Sequence, residues 1–201
     1  EIHERLVGSE MCIRDRIQNM ADPEIEKRTC WFVMRDLKRA NAKLPAYKLL
    51  EAEHFEVFTP MKERLSIRGD RRVREKVPFI QDLLFVHDTK EAIDPIVNKI
   101  PTIQYRFQKG GGYGKPMTVP DKDMERFIHA VSVSENPKYY LPCELIPAMS
   151  GRNIRIVGGP LDGYEGKLLT VRGSKTKRLL VELPNFFSVG VEVCPEYIKL
   201  L

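Results

Sequence analysis

Arg152-Asn-Ile-Arg-Ile-Val-Gly-Gly-Pro-Leu-Asp-Gly-Tyr-Glu-Gly-Lys-Leu-Leu169 alternates apolar and polar residues, breaks at clustered turn formers, and then alternates again. Ile154 and Ile156 fall two apart and so share one face of a strand. Gly159-Pro160 and Gly163 supply turn conformations, and Gly166 lets the chain re-enter a strand where a side chain would crowd its neighbour. The stretch predicts the first hairpin of a small β-barrel. Strands are expected at Arg152–Val157, Gly166–Arg172, Lys177–Leu183, Ser188–Val193 and Tyr197–Leu200. A barrel of about fifty residues needs closure and a filled interior to be stable.

Upstream, the order is β, α, β-hairpin, α, β, α. Arg28-Thr-Cys-Trp-Phe-Val-Met-Arg35 is rich in residues that suit a pleated, half-buried surface and is the first strand. A helix follows from about Pro45, with Tyr47, Leu49 and Leu50 available to cover a sheet. Phe55–Ile67 and Val73–His87 are two strand-like runs joined around Gly69-Asp70, which predicts a long hairpin with an exposed tip. Asp88 and Glu91 have capping-box spacing, and Pro95 means that the next helix restarts at Asp94 or kinks. Gln104–Phe107 is a short strand. In the last helix Met124, Phe127, Ile128 and Val131 recur at helical spacing after Pro120-Asp121, so one face is expected to pack on the sheet.

Residues 1–19 have no apolar run or period that would fold, nor the hydrophobic centre and cleavage site of a signal peptide, and read as an artefactual or disordered tail. Of the 201 residues, 42% are hydrophobic and 30% charged, as in an ordinary globular chain. No window approaches a membrane span. Cys12, Cys30, Cys143 and Cys194 are far apart and form no CxxC pair, so reduced packing residues are expected rather than a disulfide framework or zinc site. The net charge of +5 suggests an anionic partner. Between Lys62 and Lys76 seven basic residues face three acidic ones, a local +4 on one hairpin. Arg68, Arg71, Arg72, Arg74 and Lys76 are therefore the candidates for contact with nucleic-acid phosphate, and such contacts position without reading sequence. The alternative is a solvated hairpin whose charges block edge pairing. Lys109-Gly-Gly-Gly-Tyr-Gly-Lys-Pro116 fails the phosphate-loop pattern at both Lys109 and Pro116. His54, His87 and His129 have no ligand spacing, and no catalytic constellation stands out, so neither an enzyme nor a metal or cofactor site is expected.

The Arg152–Leu169 stretch resembles a KOW motif. Trp31-Phe32 on the first strand, Phe55-Glu-Val-Phe-Thr-Pro60, Arg71-Arg72-Val73 and Pro78-Phe-Ile-Gln-Asp-Leu-Leu-Phe-Val86 resemble, in that order, the amino-terminal domain of the NusG family of transcription elongation factors. The resemblance implies an α+β fold: a NusG-type antiparallel sheet with flanking helices over 20–134, a proline-spaced linker over 135–149, and a KOW β-barrel over 150–201. Asp82-Leu83 replaces the glycine-tyrosine pair usual in the family's third strand. Together with Lys43-Leu-Pro-Ala-Tyr, it is closer to the specialised RfaH-like and UpxY-like antiterminators of polysaccharide-synthesis operons.

The resemblance further implies a cytoplasmic factor that binds RNA polymerase near the upstream or non-template DNA of the bubble and suppresses pausing or termination. Phe58, Phe79, Leu84 and Phe107 match apolar positions of the family's polymerase-docking strands. Leu183-Pro-Asn-Phe-Phe-Ser188 matches the loop that meets ribosomal protein S10 or Rho, with Phe186 and Phe187 as contacts, of which at most one readily turns inward. KOW barrels also occur in ribosomal proteins, so an RNA-binding protein of the translation machinery is the alternative. The mild +3 of residues 150–201 argues against it.

Overall fold

The computed structural model describes residues 28–38, 43–107, 115–146, 149–169 and 176–201. The tail, the glycine loop and the end of the second expected barrel strand fall wholly or mainly outside them. The chain forms two compact units, one of Glu1–Val57 with Asp82–Thr118, the other of Phe58–Gln81 with Val119–Leu201.

The first unit is built on β1 (Cys30–Asp36), whose Trp31, Phe32, Val33 and Met34 are all buried. Side chains of successive strand residues point to opposite faces, so burial of all four marks a central strand. It pairs antiparallel with β5 (Leu83–Asp88), from Cys30↔Asp88 to Arg35↔Leu83, and with β6 (Ile103–Tyr105). With β2 (Glu56–Phe58) the order is β2-β5-β1-β6, and β7 (Thr118–Val119) also pairs β1. His87 Nδ1 lies 2.7 Å from Glu56 Oε2, linking β5 to β2, while its ring stacks on Trp31 at 4.8 Å.

Helix α1 (Ala46–Ala52) begins after Pro45, as expected. The buried Asp36 fixes its start: Oδ2 accepts from the Ala46 N–H at 2.7 Å and Oδ1 from the Lys38 N–H at 2.9 Å. Helix α2 (Lys90–Lys99) is capped one residue later than the sequence indicates. Thr89 is the N-cap and its hydroxyl accepts from the Ala92 N–H, while Asp88 accepts from the Thr89 N–H. The helix also runs through Pro95 without restarting. Ile93 is fully buried, with Ile96 and Val97 packed beside it against Phe32, Met34, Leu84 and Val86, and this burial outweighs one lost backbone bond.

The second unit takes its hairpin from the middle of the two long runs. Phe55–Ile67 divides at Thr59-Pro60, and Val73–His87 divides between Pro78 and Leu83. Strands β3 (Met61–Arg68) and β4 (Arg71–Pro78) form a separate two-stranded ladder, from Met61↔Pro78 to Arg68↔Arg71. The Phe79 N–H donates to the Pro60 carbonyl at 2.7 Å and closes its base; Gly69, at φ +61°, turns its tip.

The remaining strands are β8 (Lys138–Tyr140), β9 (Ser150–Ile156), β10 (Glu165–Leu169), β11 (Arg178–Leu183), β12 (Phe187–Glu192) and β13 (Ile198–Leu200). They form an antiparallel sheet in the order β13-β9-β10-β11-β12-β8. Gly159 and Gly163 hold positive φ in the β9–β10 turn, as their placement predicts. Strand β8 lies inside the stretch expected to be an extended connector that does not join the following strands, but it pairs with β12, with Tyr139 opposite Val189. A three-residue strand between Pro137 and Pro142 is too short to show a period in sequence. Arg178, which is 5% exposed, donates to the carbonyls of Asn136 and Gly190 and ties this segment to the sheet. Helix α3 (Asp121–Val133) buries Met124, Phe127 and Ala130 and packs against β11 and β12.

A Cβ on Gly166 would meet the Leu180 carbonyl oxygen at 2.5 Å, whereas one on Gly163 meets nothing within 4 Å but sits at φ +78°. Gly166→Ala is expected to lower stability by about 1–3 kcal/mol through overpacking, and Gly163→Ala by about 1–2 kcal/mol through left-handed strain. Urea unfolding followed by circular dichroism checks both; an unchanged midpoint for Gly166→Ala refutes the close β10–β11 approach.

Candidate functional site

Residues directly opposite in an antiparallel ladder share a face, so the β3–β4 register sorts the hairpin charges. Arg72 and Arg74 lie on the face of Ile67 and Leu65, joined by Glu63 and Lys76; Arg64, Arg71 and Glu75 lie on the other. Arg64 is committed to Glu75, with Nη2 at 2.6 Å and Nε at 3.1 Å from one carboxylate oxygen. Arg74 and Glu63 approach only to 3.9 Å, both largely in solvent, where such a pair contributes little. Arg71, Arg72, Arg74 and Lys76 are all exposed. Arg68 is opposite Arg71 at the end of the ladder. Leu65 and Ile67 are 57% and 74% exposed beside the arginines. Their alternation is that of an ordinary half-buried strand, so periodicity alone does not show that this face stays uncovered.

At the hairpin base the aromatic residues converge. Phe79 stacks on Tyr139 with centroids 5.2 Å apart and lies 6.0 Å from Phe187, which in turn meets Phe127 edge-on at 5.3 Å. Phe58 meets Phe127 edge-on at 6.1 Å, and Lys62 Nζ lies 5.3 Å from the Phe79 centroid. Phe58 and Phe79, expected in an exposed docking patch, are thus half-buried members of this cluster. Leu84 is in the core of the first unit, while Phe107 is 55% exposed. The four residues are not gathered into one exposed patch. Of the phenylalanine pair, Phe187 turns inward to 2% exposure and Phe186 remains half-buried.

Tyr164, unremarked in the sequence, anchors α3 to the β9–β10 turn. Its hydroxyl donates to the Arg126 carbonyl at 3.0 Å and lies 2.9 Å from His129 Nδ1, while the Arg126 guanidinium covers its ring at 5.0 Å. Arg126 also donates to the Glu165 carbonyl. Asp82 accepts from Arg106 at 2.9 Å and lies 3.6 Å from Arg35 Nε. Cys143 and Cys194 are free thiols. Among the described residues, no helix is long and apolar enough to cross a membrane and no cluster of three metal-ligating side chains occurs.

The sequence profile of the family described as "Transcription termination factor nusG" matches residues 29–128, and this stretch is a NusG-family domain. That family consists of non-enzymatic transcription factors. A solved structure titled "Domain interaction in Thermotoga maritima NusG" is similar over 87% of this chain and 98% of its own, at 15% identity and a TM-score of 0.45. No curated protein sequence matches the chain.

Burial pushes the Tyr139 hydroxyl up to about 12, against a smaller opposing effect of its backbone hydrogen bond with Met61. The folded value exceeds the unfolded value of about 10, so this contribution to stability is complete below pH 10. It is lost between about pH 10 and 12, as the unfolded chain ionises first. Tyr139→Phe is expected to reduce the alkaline loss of stability in that window, read by urea melts at several pH values. A loss identical to that of the parent would place Tyr139 in solvent.

Proposed function

We propose that the chain is a cytoplasmic transcription elongation and antitermination factor that binds RNA polymerase and suppresses pausing or termination. The exposed arginines of a hairpin that lies within a NusG-family domain carry this reading. Guanidinium forks at Arg71, Arg72 and Arg74 suit the phosphates of upstream or non-template DNA near the bubble, with Arg68 and Lys76 extending the charge. Phe107 offers an exposed apolar anchor to the polymerase. Phe58 and Phe79 can serve only once the aromatic cluster opens, and Leu84 contributes by supporting the sheet.

The strands from Ser150 onward are read as a KOW barrel, which receives β8 at one side. Phe186, rather than the inward Phe187, is its contact for ribosomal protein S10 or Rho. The specialised, RfaH/UpxY-like reading, with polysaccharide-synthesis operons as its targets, rests on the Asp82-Leu83 departure from the usual family sequence and on Lys43-Leu-Pro-Ala-Tyr; Asp82 itself pairs with Arg106 and Arg35. The proline-spaced connector over 134–149 is the expected site of protease cleavage between the NusG-type and KOW parts, outside strand β8 within it.

Replacing Arg71, Arg72 and Arg74 by Glu changes the local charge from about +4 to −2, turning attraction to phosphate into repulsion. The variant is expected to bind core polymerase at low salt but to lose readthrough of a pause or terminator in a reconstituted elongation assay. Readthrough that persists with its normal salt dependence would show that the charges only protect a solvated ribbon. Cosedimentation with ribosomes in place of polymerase would favour the translation reading.

A further inference from the structure

A cleft of about 910 Å³ runs through the second unit between the base of the β3–β4 hairpin and the segment from the end of α3 through β8. Four cations line it: Lys62, Arg74 and Lys76 from the hairpin and Lys138 from β8, against the carboxylates Glu63 and Glu135. Lys76 and Lys138 are exposed and form no ion pair among the described residues. Strand β8 ends its sheet, so its outer edge is unpaired there. Lys138 and Tyr140, two apart, share the face opposite Tyr139. Tyr139 is consumed by the aromatic cluster, but Tyr140 is half-buried, lies over Gly190, and stacks on no other ring among the described residues.

We propose that this cleft binds nucleotide units of a single-stranded nucleic acid, with the lysines on phosphate and Tyr140 as a platform for a base. A groove that combines unpaired cations with an aromatic face recognises single strands irrespective of sequence, because every base offers a π-face. A volume near 900 Å³ is ample for a nucleotide-sized ligand. Duplex DNA keeps its bases stacked internally and offers Tyr140 only backbone. The cleft shares Arg74 and Lys76 with the hairpin charge assigned above and adds Lys138 and Tyr140, which lie outside the hairpin; it rests on the nucleic-acid reading only for the availability of the ligand.

The test is fluorescence anisotropy of a labelled eight-nucleotide oligothymidylate with the full chain, its parent compared with Lys138→Glu, Lys138→Gln and Tyr140→Ala, each checked by circular dichroism for folding. Lys138→Glu is expected to weaken binding at least fivefold. Lys138→Gln should weaken it less and flatten the logarithmic salt dependence by roughly 0.7, the increment of one single-strand phosphate contact. Tyr140→Ala should weaken oligothymidylate more than a duplex of equal length. Competition by AMP at millimolar concentration would support the same chemistry and identify a free nucleotide as a ligand. Folded Lys138 variants that bind within twofold of the parent overturn the proposal. Loss on Arg71→Glu/Arg72→Glu alone overturns it while leaving the hairpin-tip reading intact.

Discussion

Four rings from four separate segments, Phe79 at the hairpin base, Tyr139 on β8, Phe187 on β12 and Phe127 on α3, meet in one cluster. Much of the second unit depends on that meeting. A two-stranded ribbon is marginal alone in water, and the β3–β4 ladder leaves Leu65 and Ile67 in solvent, so its faces contribute little burial. Its support comes from its base, where Phe79 is held by Tyr139 and Phe187. Edge-on and offset aromatic pairs add roughly 0.5–1.5 kcal/mol each beyond the area they bury. The same rings hold the three-residue strand β8 to its sheet and α3 to β11 and β12.

This arrangement divides the labour between apolar and charged residues. The aromatics that a docking surface would use are occupied inside the second unit, while the cations stand outside it. Arg71 and Arg72 extend from the ribbon tip without loss of packing, because their stems cover no core. Lys138 stands on an edge strand whose inward neighbour Tyr139 is fixed. Charge on an exposed ribbon and edge suits a polyanion more than a small apolar ligand.

The parts of this structure that follow from period and turn chemistry were legible in the chain. The β9–β10 hairpin, the central strand with Trp31-Phe32, the helix after Pro45 and the glycine turn at Gly69 all follow from local rules, and Gly166 from the crowding of neighbouring strands. What was not legible depended on tertiary contact. Pro95 stays within α2 because Ile93, Ile96 and Val97 are buried, which a propensity argument cannot weigh. Lys138–Tyr140 becomes a strand because β12 offers an edge and Arg178 holds Asn136. In the site, the exposed hairpin charge could be read from composition. The inward turn of Phe187 and the packing of Phe58 and Phe79 could not, since alternation is the same for a core ring and a docking ring.

The central claim is that the aromatic cluster unites hairpin, helix and sheet, and nuclear Overhauser spectroscopy of the folded chain tests it most directly. With the Phe127 and Phe187 centroids 5.3 Å apart and Phe79 stacked at 5.2 Å on Tyr139, ring-proton cross-peaks are predicted for both pairs. These should be accompanied by ring shifts displaced well away from those of a solvated side chain. Absence of both sets of cross-peaks, with solvent-like shifts for Phe79 and Phe127 in a protein that is otherwise folded, would contradict the account.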